Sequence, residues 1–555
     1  MHCLPAPENR RFTPSALALG FYVVWIVSTD LLVNPSYTSA GIYHPAFLAA
    51  GFMIGNRVDE RTSRGALGAL VAFGSVLSLW GLWQAAAQGL TRAQAGFETP
   101  ATLAAVLNLV LLPAIAWLAW GARAFPGAIA VALLCAGELA TESRGGLLGL
   151  AAGALALGSG LGLSQLAFTA GDWLPRLLPP VPALSGLGLA PSSREEGARF
   201  SMIGSASLDS SVSRLDLYET AVAGVRDAPL FGAGYLSFYY ALPAARLLPA
   251  YGVDEGVTYF VHDDYLQTIL ELGAPGFVAL LALVGFLPFA ALTREWPGAA
   301  AQPRALCLIG SLSAMVSMAM HAAVDYPFYV PVCLMLFGIA CGVADRAAIG
   351  MSLAAGYSLP GSIRQTAFGR ALRAAAITLG GLLLLAPAAG EAAVWYAKRQ
   401  WREAQGQSAA FWFEAARRLG IRDWRYDWYA GQFWFAQASA GPHPVAAKLA
   451  DRAFAAGARH NSRDVHNLIG RTMTQRLFGD RLDDRASPEA LRAWAERAVA
   501  LAPRDRAARV EHVLVLSHIG AADDAKAAAA ALLRDYPNDA AVQRFARPYL
   551  AGTAR

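Results

Sequence analysis

The chain of 555 residues is too apolar and too sparsely charged to be a string of soluble domains. Apolar residues make up 55% and charged residues 15% of it, whereas about 25% of a soluble domain is charged. The charge is also unevenly spread, with 42 charged residues between Trp395 and Arg555 and 43 in the first 394 residues. Residues 1–394 are therefore predicted to form a membrane domain, and residues 395–555 a soluble tail.

The excess of positive charge belongs to this tail, which holds 25 basic and 17 acidic side chains. They are scattered and form no single stripe, which argues against nucleic acid as a partner. A solvated helical surface fits the pattern, as does contact with an anionic glycan or with lipid headgroups. No disulfide or zinc framework is available to the tail, because all five cysteines precede it: Cys3, Cys135, Cys307, Cys333 and Cys341.

Apolar runs that could cross about 30 Å of hydrocarbon recur through the first 394 residues. Arg10 and Arg11 precede the first run, and no small-residue cleavage site follows it, which indicates an anchor and not a signal peptide. The predicted spans in chain order are 15–33, 45–56, 65–88, 100–120, 126–141, 145–169, 177–190, 273–292, 304–322, 331–344 and 374–394.

The segment 177–190 decides the orientation of everything after it, because it is short and interrupted by prolines. The positive-inside bias places the N-terminus in the cytoplasm. If 177–190 crosses, the chain has about 11 spans, and both the polar loop at about 191–272 and the tail are external. Lys398, Arg399 and Arg402 then lie just outside the last span, against a bias that weakens for long translocated domains.

The tail shows the apolar periodicity of helices together with a short internal sequence repeat. Arg-Asp or Asn-Asp pairs end at Asp423, Asp464, Asp505 and Asp539, at spacings of 41, 41 and 34 residues. A spacing of 34 residues resembles the period of the tetratricopeptide repeat, and the alternative is an ordinary domain of helical hairpins. The predicted fold class is therefore all-α: a polytopic helical membrane protein with a helical, tetratricopeptide-like C-terminal domain.

Ionisable residues at the edges of an apolar domain are costly, which makes them candidates for function. Four groups stand out on the predicted external face. Arg144 lies at the end of a predicted span. Arg214 begins a predicted helix that continues through Arg226 to a turn at Gly232 and Gly234. The structural alternatives are that Arg144 reaches to the membrane interface and that the glycines simply end a helix.

The other two groups contain histidine. His262, followed by Asp263 and Asp264, begins a helix that re-enters the membrane, and an imidazole beside carboxylates can take a proton near neutral pH. His321 and Asp325 lie one helical turn apart near the end of a span. As structural alternatives, His262 caps a helix or lies at the interface, and the second pair orders a helix end.

Taken in order, these motifs resemble the O-antigen ligase and polymerase family of bacterial envelope glycosyltransferases over about residues 15–345. The large external loop before a re-entering helix is part of this resemblance, and a tetratricopeptide-like tail also occurs in the family. The residues that carry it are Ser143-Arg144-Gly145, Arg214, the APLFGAGYLSF segment at 228–238, His262 with Tyr265-Leu266-Gln267 and Gly273, and DYPFYVP at 325–331.

The resemblance implies that a glycan passes from an undecaprenyl-pyrophosphate carrier to an acceptor hydroxyl, at the periplasmic face of the bacterial inner membrane and without a metal or cofactor. His262 would be the base, and Arg214 would stabilise the pyrophosphate with a forked guanidinium group. Substrate-binding roles would fall to Arg144, Arg226, Asp263, Asp264, His321 and Asp325.

The subclass stays open at this point. Asp263 follows the histidine where the family commonly has Asn, Ser or Gln, and the residues after Gly273 lack the tryptophan that lipid A-core ligases often carry. The acceptor is a growing polysaccharide, a lipid or, as an alternative, a protein such as a pilin. The alternative of a different class is a non-catalytic transporter or assembly scaffold whose tail recruits envelope proteins, although the chain lacks the two related halves of many transporters.

Single cysteines at positions 200 and 360 test the predicted topology, in a background without the native cysteines. A membrane-impermeant maleimide should label position 200 from the periplasmic side, and position 360 only after the membrane is permeabilised, because three predicted spans separate them. Labelling of both positions from the same side would contradict an 11-span map.

Overall fold

The computed structural model describes residues 11–33, 40–58, 60–97, 99–119, 124–163, 214, 217–226, 230–238, 260–293, 302–353, 357–358, 367–420, 423–441, 444–503, 505–537 and 539–552. These residues belong to two compact units. The first unit takes its residues from 1–27, 44–214 and 260–377, and the second from 28–43, 215–259 and 378–555.

The part of the chain before the tail is a series of helices. They are α1 (Pro14–Leu32), α2 (Ala40–Gly55), α3 (Glu60–Ala87), α4 (Pro100–Ala119), α5 (Ala124–Ala140), α6 (Arg144–Leu163), α7 (217–226), α8 (Asp264–Thr293), α9 (Gln302–Ala322), α10 (Pro331–Gly350) and α11 (Ala367–Arg402). Among the described helices, α1, α3, α4, α8, α9 and α10 are long and apolar enough to cross a bilayer, and α2 and α5 are shorter apolar helices.

The predicted fold class, an all-α polytopic membrane protein, is thereby confirmed. The predicted span at 177–190 lies outside the described residues, so the number of 11 spans stays a prediction. The boundary predicted at residue 394 falls inside α11, which continues without a break to Arg402.

Close backbone contact between α2 and α10 helps to build the first unit. A Cβ atom on Gly51 would lie 2.1 Å from the carbonyl oxygen of Met335, and one on Gly55 would lie 2.2 Å from that of Ile339. These positions therefore tolerate no side chain, and the glycines let the two helices approach at backbone distance.

One end of the first unit is held together by polar contacts, and we call it the arginine end. There Asp345 accepts hydrogen bonds from the backbone N–H of Thr13 (3.1 Å) and from Nδ2 of Asn56 (2.9 Å). Arg346 donates to the carbonyl of Asn56 (3.0 Å). The same part of the chain contains a short antiparallel pairing of β1 (Arg11–Phe12) with β2 (Tyr357–Ser358).

The helix directions place the candidate residues at the opposite end, which we call the histidine end. Helix α9 begins beside Arg304, which donates to the carbonyl of Gly350 (3.4 Å), and ends at His321. Helix α6 starts against His321 and reaches Ile309 at Gly160, so it runs from the histidine end toward the arginine end. Helix α8 also begins at the histidine end, which is the arrangement that an odd number of crossings between α6 and α8 requires.

The tail of the second unit is a series of helical hairpins. They are α12 (Gly406–Leu419) with α13 (Trp424–Ala440), α14 (Pro444–His460) with α15 (Val465–Phe478), α16 (Pro488–Leu501) with α17 (Arg506–His518), and α18 (Ala522–Asp535) with α19 (Ala540–Leu550).

The aspartates of the internal sequence repeat are the N-caps of the second helix in each hairpin. Asp423, Asp464, Asp505 and Asp539 each accept a hydrogen bond from a backbone N–H two or three residues later, at 2.7–3.1 Å. A carboxylate at this position satisfies a helical N–H that lacks an intrahelical partner. The internal sequence repeat therefore marks the start of a helix in each hairpin, while membership of the tetratricopeptide family stays a prediction.

Candidate functional site

The centre of the candidate site is the carboxylate of Asp325, which lies between two histidines. Its Oδ1 is 3.3 Å from Nδ1 of His262, and its Oδ2 is 3.8 Å from Nε2 of His321. His321 is buried, with 1% of its side chain exposed, whereas His262 is 28% exposed. The carboxylate thus joins a histidine inside the helix bundle to one that solvent can reach.

Asp325 keeps its negative charge at neutral pH. Burial alone would raise the pKa of this carboxyl, but the imidazoles of His262 and His321 beside it hold the pKa below its usual range. The backbone N–H of Tyr326 adds a further hydrogen bond to Oδ1 at 3.0 Å. An ionised carboxylate here can orient the His262 ring and stabilise its protonated form.

The backbone of His262 has an unusual conformation that its neighbours hold in place. Its φ angle is 60°, in the left-handed region that a residue with a side chain seldom adopts. Oε1 of Gln267 accepts a hydrogen bond from the N–H of Val261 (2.9 Å), and Nε2 of Gln267 donates to Glu271 (3.1 Å). Glu271 also accepts from the hydroxyl of Tyr329 (2.8 Å).

This relay of Gln267, Glu271 and Tyr329 was not predicted from the sequence. All three side chains are buried. They connect the segment that carries His262 to helix α8 and to the turn that follows α9. One signal was available, since Gln267 and Glu271 are polar residues one helical turn apart in an otherwise apolar helix.

Asp263 and Asp264 contact backbone N–H groups. Asp263 caps α8 by accepting from the N–H groups of Tyr265 (3.0 Å) and Leu266 (2.9 Å), and Asp264 accepts from that of Phe328 (2.8 Å). Burial raises the pKa of the Asp263 carboxyl, and its two backbone hydrogen bonds oppose that rise. The expected role of these aspartates beside His262 therefore stays a prediction, and Asp325 is the carboxylate at hydrogen-bond distance from that ring.

The first turns of α8, which follow His262 in the chain, form a separate short helical segment. At Gly273 the backbone leaves the helical conformation, with φ 66° and ψ −169°, and the apolar span follows this kink. The hydroxyl of Tyr265 donates to the carbonyl of Ala319 in α9 (2.8 Å). The predicted re-entering helix is thus present, begins at Asp264, and is tied to the helix that carries His321.

Arg144 is the first residue of α6 and is exposed at the histidine end. The next residue, Gly145, packs so closely on His321 that a Cβ atom would lie 2.8 Å from Cδ2 and 3.0 Å from Nε2 of the ring. Arg92 donates to the carbonyls of Thr141 (3.0 Å) and Glu142 (3.2 Å), which lie just before α6. Arg92 was not predicted, and it orders the turn that presents Arg144.

Arg214 is half-buried in the first unit, whereas Arg226 is exposed at the end of α7 in the second unit. Tyr218, Glu219 and Arg226 line a cavity of about 380 Å³ along α7, together with Val222 and Ala223. After α7, Gly232 (φ 73°) and Gly234 (φ 98°) form the predicted turn. The two arginines therefore lie on the predicted segment, in different units of the structure.

The structure brings His262, His321, Asp325 and the start of α6 together at one end of the first unit. An imidazole that solvent can reach and that is backed by an ionised carboxylate is suited to accept a proton from a hydroxyl group. Within the described residues, no cluster of three or more His, Cys, Asp or Glu side chains is arranged to hold a metal ion.

Residues 129–281 match the family model described as O-antigen ligase. The matched stretch contains Arg144, Arg214, Arg226 and the segment from His262 to Asp264, whereas His321 and Asp325 follow about 40 residues later. The family recognised from the sequence is confirmed for this part of the chain. A comparison with curated proteins found no match.

Substitution of Gly145 by Ala should disturb the contacts of Asp325 with the two histidines, because the new methyl group would displace the buried ring of His321. We expect a loss of about 1–3 kcal/mol in the free energy of unfolding, the usual cost of overpacking. Thermal unfolding of the purified protein in detergent measures this. The control is Gly158→Ala on the same helix, where nothing lies within 4 Å of the added Cβ. Equal stability of the two variants would contradict the packing argument.

Proposed function

We propose that this chain, whose residues 129–281 belong to the O-antigen ligase family, is a glycosyltransferase that moves a glycan from a polyprenyl-pyrophosphate carrier to an acceptor hydroxyl. The coarser statement, a multi-pass membrane protein of the glycan ligase or polymerase type, follows from the family match and the apolar helices. The carrier, the direction and the roles of single residues are our proposal.

The observation that carries the proposal is the contact of His262 with the ionised carboxylate of Asp325. In the proposed reaction the acceptor oxygen forms a bond to the anomeric carbon of the donor, and the bond from that carbon to the pyrophosphate breaks. The acceptor proton passes to His262, and Asp325 stabilises the imidazolium that results. The polyprenyl pyrophosphate leaves with the electron pair of the broken bond.

The negative charge that grows on the leaving pyrophosphate needs donors that match phosphate oxygens. Guanidinium groups supply forked, permanently charged donors, and we assign this role to Arg214 first, then to Arg144 and Arg226. Arg144 is supported by its exposure at the start of α6, beside His321. The reaction then needs neither a metal ion nor a cofactor, and we assign carbohydrate contacts to Asp263 and Asp264.

We place the reaction at the periplasmic face of a bacterial inner membrane, with undecaprenyl pyrophosphate as the carrier. The distribution of charged residues supports this orientation, because Arg57, Arg304 and Arg346 lie at the end of the first unit opposite His262. The row of hairpins in the tail fits a role in holding a glycan, lipid or protein acceptor.

Substitution of His262 or Arg214 by Ala should abolish most of the glycan transfer while the protein stays in the membrane. A lost general base costs about 10²–10⁴-fold in rate, and a lost charged donor to the leaving group costs a similar factor. Lipid-linked glycans should then accumulate in cells, which thin-layer or mass analysis of extracted lipids measures.

Arg57→Ala is the matched control, since Arg57 is an exposed arginine at the arginine end. It should leave the glycan pattern unchanged. The length of the accumulated glycan distinguishes the subclasses: single repeats indicate a polymerase and long unattached chains a ligase. Normal glycan chains in both the His262 and the Arg214 variant would exclude the proposed site.

A further inference from the structure

The junction between the last predicted span and the tail carries an exposed aromatic surface. Between residues 374 and 396 the only charged residue of helix α11 is Glu391, which pairs with Arg425 of α13 at 2.8 Å. The helix continues without a break through Trp395 and Tyr396, which are 60% and 37% exposed. On α12, Phe411 is 65% exposed. The partly buried Trp412 joins the two helices, because its ring lies 5.1 Å from that of Tyr396 and 5.2 Å from that of Phe411. We call Trp395, Tyr396, Phe411 and Trp412 the aromatic junction.

The aromatic junction continues one exposed face of α11. The exposed residues of this face recur at three- and four-residue spacing, as expected for one side of a helix. They are Leu385, Ala388, Ala389, Ala392, Trp395, Tyr396 and Arg399. The predicted span 374–394 has a length of about 30 Å as a helix, the thickness of the hydrocarbon layer. The predicted span therefore places Trp395 at the end of the hydrocarbon layer.

Positive charge follows the aromatic residues. Arg399, Arg402 and Arg418 are exposed. Arg418, with 79% of its side chain exposed, pairs with Glu414 at 3.3 Å. Nζ of Lys398 lies 3.5 Å from the centre of the Tyr429 ring, and Arg399 pairs with Glu403 at 2.9 Å. Part of the basic cluster that opposes the positive-inside bias is thus occupied within the protein, and the rest stands beside the aromatic surface.

From this arrangement we propose that the aromatic junction is a membrane-docking surface, which lies at the boundary between acyl chains and lipid headgroups on the side of the tail. Trp and Tyr rings are favoured at this depth, where the ring body is in an apolar layer and its polar group reaches water. Phe411 extends the contact sideways onto α12, and Arg402 contacts lipid phosphates. The first hairpin of the tail therefore rests on the bilayer.

Spin labels on the full-length protein in lipid nanodiscs test this proposal. After replacement of the five native cysteines, a nitroxide is attached to Phe411→Cys, and in separate samples to Trp395→Cys or Val445→Cys. Val445 on α14 is the matched control, since it is an apolar side chain that is also 65% exposed. Collisions of each label with oxygen, which concentrates in lipid, and with a water-soluble nickel complex are measured.

At positions 411 and 395, collisions with oxygen should exceed those with the nickel complex severalfold, and at position 445 the ratio should reverse. A label at 411 that behaves like the label at 445 would overturn the proposal. Protection of position 411 from both reagents would overturn it as well, because a protein surface, such as a second copy of the chain, would then cover it. Loss of glycan transfer in the His262 variant would not affect either result.

Discussion

The arrangement of the candidate site depends on one carboxylate at the end of the helix bundle. Asp325 reaches His262 at 3.3 Å and His321 at 3.8 Å, and its charge is stable because both histidines lower its pKa against the effect of burial. Such a group is costly in an apolar environment without these partners. The carboxylate and the two imidazole rings therefore form one cluster, in which each group helps to position the others.

The surrounding helices pack closely around this cluster. Gly145 lets the start of α6 approach the ring of His321, and the kink at Gly273 separates the segment below His262 from the following span. Gln267 and Glu271 then fix the backbone before His262, whose φ angle of 60° would otherwise be unfavourable. A strained backbone conformation held by several buried hydrogen bonds is typical of functional sites, and here it presents a ring that solvent can reach.

Much of this architecture could be predicted from the sequence, because the physical signals are local. Apolar runs predict the helices of the membrane part, and the scarcity of charge made Arg144, His262 and Asp325 candidates. The spacing of the repeated Asp residues predicts a repeated helical unit in the tail, and the structure adds that Asp423 and Asp464 are helix N-caps. The match of residues 129–281 to the O-antigen ligase family model agrees with the resemblance that the order of these motifs indicated.

The contacts across the chain could not be predicted. His262 and Asp325 are 63 residues apart, and no spacing rule connects them, so the neighbouring Asp263 and Asp264 were the natural choice of partner. The structure places those two carboxylates on backbone N–H groups instead. The contacts of Gln267 and Arg92 could not be predicted either, because they are hydrogen bonds to main-chain groups that no sequence spacing identifies.

The most direct test of the role of Asp325 is the rate of glycan transfer by purified Asp325→Asn, reconstituted in lipid with a polyprenyl-pyrophosphate-linked donor and an acceptor. The amide carries no charge and cannot stabilise the imidazolium that forms on His262, so the rate should fall by about tenfold or more. The same rate as the unsubstituted protein would contradict the central role of the Asp325 carboxylate.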